Sequence, residues 1–267
     1  MLEVSGNFAP DLLVEVADGV ATITLNRPER RNALSFAMMR GLHDLTVAAR
    51  TDASVQVLVF RGAGDKAFCS GADLGGIAEN GAFVELHDGR GELANLFRAL
   101  WALGKPTIAA VRGFALAGGF GLACACDIVV AADDAMFGTP EINVGLWPYM
   151  ITVPLLRSMP QKYVLDLMMT GRRIDVVEAQ RVGAVSRVVA VAELESTVYE
   201  LAIHLASQSP TAMRWGRESF FRTLEQPNAE AALAYLQTML TLTTNTEDAV
   251  EGVAAFAQKR TPTWPGR

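Results

Sequence analysis

Thr107-Ile-Ala-Ala-Val-Arg-Gly-Phe-Ala-Leu-Ala-Gly-Gly-Phe-Gly-Leu-Ala-Cys-Ala-Cys-Asp-Ile-Val-Val-Ala-Ala132 contains the longest mainly apolar run of the chain, and its division decides the fold. A membrane-spanning helix needs about 20 uninterrupted apolar residues. Arg112, Asp127 and the glycines at 113, 118, 119 and 121 interrupt this one. The better division is a strand at 107–111, a turn at Gly113, a helix over Gly118–Ala125 and a second strand at 128–132. Strand, helix, strand in close succession predicts an α/β core with crossover connections.

Upstream, Leu12–Val16 and Val20–Leu25 are β-rich runs separated by Ala17-Asp18-Gly19. They predict a hairpin, with Asp-Gly supplying the tight turn. The polar stretch Asn26–Asn32 is a loop. Ser35 then caps a helix whose apolar positions Met38, Leu42, Leu45 and Ala49 recur at helical spacing. Val55–Phe60 is a buried strand. The segment Leu74–Arg90 has weak periodicity, mixed charge and several glycines, and it reads as a lid.

Downstream, Pro160–Thr170 is a helix stopped by Gly171, and Asp175 with Glu178 forms a capping box for the next. Helical stretches follow near 191–208, 210–224 and 228–258, the last interrupted around Thr243–Thr246. This divides the chain into a core at 1–190 and a helical region at 191–267. The helical region is open to packing on its own body or on a neighbouring subunit.

The bulk composition limits the function. The chain has 267 residues, 51% of them apolar, which suffices for a sizeable core and excludes disorder. A net charge of −6 without a dense Lys/Arg block gives no basic face for nucleic acid. Cys69, Cys124 and Cys126 are an odd number of thiols. No second Cys/His pair accompanies Cys124-x-Cys126, so no metal site is expected. Met1–Pro10 carries no charged-then-apolar leader, so the expected location is cytoplasmic, with no membrane partner.

Two glycine-containing segments are candidates for chemistry: Ala67-Phe-Cys-Ser-Gly-Ala-Asp-Leu74 and Gly113–Leu122. Glycine permits tight turns that leave amides accessible. Gly118-Gly119 would also open a helix, where unpaired N–H groups favour negative charge. Neither segment matches a phosphate-binding loop or a dinucleotide fingerprint. Taken alone, each is also what an ordinary turn before a helix looks like.

In order along the chain, Asn26-Arg27-Pro28 with Asn32-Ala33-Leu34, Ala67–Asp73, Gly113–Gly119 continuing to Cys126-Asp127-Ile128, Phe137-Gly-Thr-Pro-Glu141 with Gly145–Pro148, and Glu251–Arg260 resemble the collinear signatures of the crotonase (enoyl-CoA hydratase/isomerase) superfamily. The resemblance spans nearly the whole chain. It implies a spiral of ββα-like turns with an α-helical C-terminal region used in assembly, as a homotrimer or a dimer of trimers.

It also implies an acyl-CoA substrate, with CoA arriving as part of that substrate and no separate cofactor. The backbone N–H groups of Ala72 and Gly118 would form an oxyanion hole for a thioester enolate, with Glu141 as the proton-transfer residue. CoA would run along Lys66, Ala67, Phe68, Ser70, Gly71, Ala72, Asp73 and Leu74. Arg27 and Lys66 would approach its phosphates, and Lys259 would reach a neighbour's CoA. Asp73 would chiefly fix its loop, and Asp127 would be a structural hydrogen-bonding carboxylate.

The sequence departs from the family at Gly121, where hydratases typically place a second glutamate. Glu79, Glu85 and Asp88 on the lid are candidates to replace it. Hydration, double-bond isomerisation and other enolate chemistry such as decarboxylation stay open, as does a catalytically silent acyl-CoA-binding protein. Trp147, Met150, Met168 and Met169 are candidates for an acyl pocket or for ordinary core packing.

Overall fold

The computed structural model describes residues 10–73 and 83–267, without the side chains of 83–86 and 90. Leu12–Ala17 (β1) and Val20–Leu25 (β2) form the expected antiparallel hairpin. Asp18 and Gly19 turn it with φ of 52° and 79°, the left-handed pair that a two-residue turn requires. Parallel to β2 then lie Val57–Gly62 (β3), Thr107–Val111 (β5), Ile128–Ala132 (β7) and Arg187–Val189 (β10), in the order β1-β2-β3-β5-β7-β10.

Alternation along these strands separates two apolar clusters, as a sheet covered on both faces requires. Val57, Val59, Ile108, Ala110, Val130 and Ala132 pack against Leu194, Val198, Leu201 and Ala202 on the helix Leu194–Ala206. Their neighbours Leu58, Phe60, Ala109, Val111, Val129 and Ala131 enter the main core with Phe68, Phe120 and Phe137. Burying each such Val, Leu or Phe contributes about 1.5–3 kcal/mol.

A second sheet is built from strands of three residues: Ala67–Cys69 (β4), Phe114–Leu116 (β6), Met136–Gly138 (β8) and Arg173–Asp175 (β9). Its order is β4-β6-β8-β9, with the first three strands parallel and β9 antiparallel.

The helices are Phe36–Thr51 (α1), Phe83–Ala102 (α2), Gly118–Ala125 (α3), Thr152–Ser158 (α4), Gln161–Thr170 (α5), Val176–Arg181 (α6), Leu194–Ala206 (α7), Pro210–Thr223 (α8), Ala229–Thr244 (α9) and Glu247–Gln258 (α10). Ser35 caps α1 by accepting from Met38 N–H at 3.2 Å, and Gly171 ends α5 at φ 64°. Asp175 caps α6, but the capping box is only half made: Glu178 bonds Tyr163 Oη and Arg172 instead of reaching back to Asp175. The break read around Thr243–Thr246 separates α9 from α10, and Thr246 caps α10.

The lid reading is corrected over part of its length. Residues from Phe83 onward belong to α2, whose Leu93, Leu96, Phe97 and Leu100 are buried at helical spacing. Leu74 and Glu79 lie outside the described residues. Among the described residues no helix is long and apolar enough to cross a membrane.

Candidate active site

The three signature segments leave neighbouring strands at the same edge. β4, β6 and β8 run parallel and adjacent. Ala72 follows β4, Gly118 follows β6 and Glu141 follows β8, so all three emerge from the C-terminal ends of the second sheet. In parallel sheets this is the edge where ligands bind, because the loops there can diverge to leave a crevice.

The N-terminal turn clamps the first loop. Ser70 N–H donates to Arg31 O (3.0 Å), Leu34 N–H to Gly71 O (2.8 Å) and Asp73 N–H to Leu34 O (2.9 Å). Those last two bonds direct Gly71 O and Asp73 N–H toward Leu34. By the alternation of extended backbone, Ala72 N–H faces the opposite way. Gly71 sits at φ +103°, where a β-carbon would stand 2.6 Å from Ala117 Cβ and 3.3 Å from Gly118 N. Glycine alone allows that approach.

On the facing segment, a β-carbon built on Gly118 would lie 3.7 Å from Ala72 N. The two candidate amides therefore share one small space. Gly118 is the first residue of α3, so its N–H has no acceptor within the helix. Ala117 before it holds φ 50°, ψ −127°, a conformation that non-glycine residues adopt at a cost of about 1–3 kcal/mol. Ala117 N–H donates to Gly138 O at 2.9 Å, which ties this turn to β8 and the segment carrying Glu141.

Glu141 lies in the short 3₁₀ turn Pro140–Val144, closed by Gly145 at φ 73°. Burial pushes its carboxyl from the ordinary 4.5 up to about 7. Its Oε2 is buried and has no hydrogen-bond partner among the described residues. A carboxyl that titrates near neutrality and keeps an oxygen uncommitted can both take and return a proton.

Gly121 lies one turn beyond Gly118 on α3. A β-carbon there would overlap Ile151 Cγ2 and stand 2.7 Å from Ile151 Cβ and 3.3 Å from Phe97 Cζ. The space beside Gly121 is thus filled by the residue that leads into α4. Of the lid carboxylates, Asp88 is an exposed position of α2, and nothing is described of the Glu85 side chain.

The remaining expected CoA-binding residues are arranged around these loops. Lys66 is exposed just before β4, while Ala67 and Phe68 are buried within it. The Arg27 guanidinium, expected near phosphates, is engaged inside the chain: it donates to Asp73 Oδ2 (2.9 Å) and Ala33 O (2.9 Å) and pairs with Asp11 (3.4 Å). Asp73 also accepts from Arg30 (3.2 Å), so it fixes the loop. Lys259 is exposed at the end of α10, in a left-handed conformation.

The sequence places Asn32 in the Asn32-Ala33-Leu34 signature without assigning it a role of its own. Fully buried, it donates to Ala67 O (2.7 Å) and Ala63 O (3.0 Å) and accepts from Arg27 N–H. Its φ of 56° is a conformation that asparagine tolerates, and Asn after a Pro-led polar turn was the available signal.

All three cysteines are buried, and burial raises their thiols, Cys69 and Cys124 to about 12. They pack as small apolar groups. Met168 is likewise core, whereas Met150 and Met169 are exposed and Trp147 is half-buried against the main cluster.

Residues 15–267 match the family model for enoyl-CoA hydratase/isomerase. The 2,3-dehydroadipyl-CoA hydratase of Escherichia coli K12 is 38% identical over 258 residues, covering 96% of this chain and 99% of that protein. The carnitinyl-CoA dehydratase of the same strain is 38% identical over 256 residues, covering 93% and 95%. The crystal structure of an enoyl-CoA hydratase from Mycobacterium smegmatis superposes with a TM-score of 0.90 at 34% identity, covering 96% of this chain and 99% of that one. With its signatures collinear and its strands and helices superposable, this chain belongs to the enoyl-CoA hydratase/isomerase family, the crotonases.

Proposed function

We propose that this protein transforms an enoyl-CoA thioester through an enolate held by the Ala72 and Gly118 amides, with Glu141 as its single proton carrier. CoA enters as part of the substrate, and the scheme uses no metal or redox group. The observation that carries the reading is the position of Glu141: a carboxyl raised to about 7, with an unpartnered oxygen, in the turn that follows the strand paired to β6, the strand leading to Gly118.

One carboxylate by itself supports migration of a double bond. Glu141 removes a proton from C2 of a 3-enoyl-CoA, and the electron pair moves into the thioester carbonyl. The oxygen's negative charge falls on the two amides, each such donor being worth about 3 kcal/mol in the transition state. The enolate then collapses, C4 takes the proton back from Glu141, and the double bond lies between C2 and C3. No atom is gained or lost. The apolar filling at Gly121 favours this shift, since no second carboxylate fits there.

A second reading is hydration of a 2-enoyl-CoA, or its reverse. It is favoured by the likeness to a hydratase and a dehydratase, each at 38% identity. Incubation with matched 2-enoyl- and 3-enoyl-CoAs separates the readings. Isomerisation converts the 3-enoyl ester to a conjugated product of unchanged mass, and hydration adds one water. Binding without turnover of either would identify an acyl-CoA-binding protein and defeat the enzymatic proposal.

Assembly belongs to the same reading. A homotrimer or dimer of trimers in the cytoplasm would bring Lys259 of one chain toward the CoA of a neighbour and would cover apolar side chains that the C-terminal helices expose.

A further inference from the structure

The face of α3 beside the amide pair has no side chains of its own, and other elements fill it. Gly118 and Gly121 are spaced i, i+3 on that face. Leu93 Cδ2 lies 3.5 Å from where a Gly118 β-carbon would be, and Phe97, one turn along α2, covers Gly121. Ile151 closes the rest. Leu93, Phe97 and Ile151 are 8%, 2% and 2% exposed, so the wall is buried and apolar. Ile151 is also held in place: its carbonyl accepts from Leu155 N–H at 3.1 Å in the first turn of α4.

We propose that Ile151, backed by Phe97, is the specificity-determining residue that restricts this enzyme to one-carboxylate chemistry, by occupying the space in which a second carboxylate and its water would stand. The inference rests on the Glu141 reading. Hydration needs a water delivered to C3 and a group to orient it. A buried water needs two to four polar partners, and the Ile151–Phe97 wall supplies none. Isomerisation needs only a base that carries one proton between C2 and C4, and exclusion of water preserves the enolate for reprotonation.

The test compares the full-length parent with Ile151→Ser, Gly121→Glu, Gly121→Glu/Ile151→Gly and Glu141→Gln. Each is assayed with 2- and 3-enoyl-CoA for hydrated and isomerised product, alongside a thermal melt. Gly121→Glu alone should melt lower and lose isomerisation without gaining hydration, because its side chain overlaps Ile151. The double variant should restore the melt and raise the hydration-to-isomerisation ratio by at least about tenfold, the lower end of what a positioned acid–base group contributes being larger still. Ile151→Ser, which opens the space and adds a hydroxyl, should raise the same ratio severalfold.

A folded double variant that still isomerises with an unchanged ratio would overturn the proposal. If the double variant does not fold, an unchanged ratio in Ile151→Ser overturns it. The underlying reading fails separately: full turnover by Glu141→Gln would remove Glu141 from the chemistry whatever the ratios show. A parent that hydrates rapidly and does not isomerise would overturn the role given to Ile151 while leaving Glu141 and the amide pair in place.

Discussion

A carboxyl that titrates near 4.5 in an unfolded chain and near 7 in the folded one holds its proton more tightly when folded. Stability gained from the neutral, buried Glu141 is therefore complete below about pH 4.5 and is lost as the pH rises through 7. Above pH 7 the native protein carries an unfavourable buried charge, worth on the order of 1–3 kcal/mol. Glu141→Gln has no charge to bury. At pH 8 it should melt above the parent, and the difference should shrink as the pH is lowered toward 4.5. The same substitution should reduce turnover about 10²–10⁴-fold with acyl-CoA binding retained. The parent's rate with a 3-enoyl-CoA should fall as the pH drops through a limb near 7, where the base becomes protonated. A variant that melts lower at pH 8, or a rate flat from pH 5 to 8, would contradict the assignment.

Among elements, the docking of α8 depends on one buried cation. Arg217 donates from Nε to Asp127 Oδ2 (2.8 Å), from Nη1 to Trp101 O (3.1 Å) and from Nη2 to Leu100 O (2.7 Å). It thereby joins α8 to the end of α2 and to the turn before β7. The same Asp127 oxygen accepts from Thr107 N–H and Oγ1, which sets β5 against β7. Arg217 is buried while Asp127 reaches solvent and keeps its Thr107 bonds, so Arg217→Met should lower the unfolding free energy chiefly by orphaning the Leu100 and Trp101 carbonyls, by about 1–3 kcal/mol, measured by urea denaturation. A loss below about 1 kcal/mol would mean that the two carbonyls are satisfied without Arg217. Asp127 was legible in the sequence as a structural carboxylate at a strand start. Its partner lies ninety residues away, and no local pattern marks it.

At the scale of the whole molecule, the C-terminal helices leave apolar side chains uncovered. Phe220 on α8, Leu233 and Leu240 on α9, and Val250, Val253 and Phe256 on α10 are all exposed, Phe256 at 87%. These side chains are the ones that the proposed assembly would cover. Light scattering on the purified chain should give the mass of a trimer or of a dimer of trimers, and Phe256→Glu should shift it toward smaller species. A stable monomer at micromolar concentration would defeat the assembly proposal. The apolar spacing of these helices could be read from the sequence, but which face would meet the core could not. Periodicity reports that a stripe exists and leaves its partner unspecified.

By itself the sequence determined what local preference decides over five or more residues. The Asp-Gly hairpin, the runs that became β3, β5 and β7, the caps at Ser35 and Asp175, the stop at Gly171 and the order of the signature segments all belong here. The second sheet was decided only in the tertiary structure. A strand of three residues shows no period, so β4, β6 and β8 exist because each is hydrogen-bonded by its neighbours. Their adjacency is also what places Ala72, Gly118 and Glu141 at one edge. The filling of Gly121 by Ile151, the use of Arg27 inside the chain and the clamp made by Asn32 were settled in the same way. Each depends on contacts between segments distant in sequence, and an isolated stretch of chain carries no record of what will pack against it.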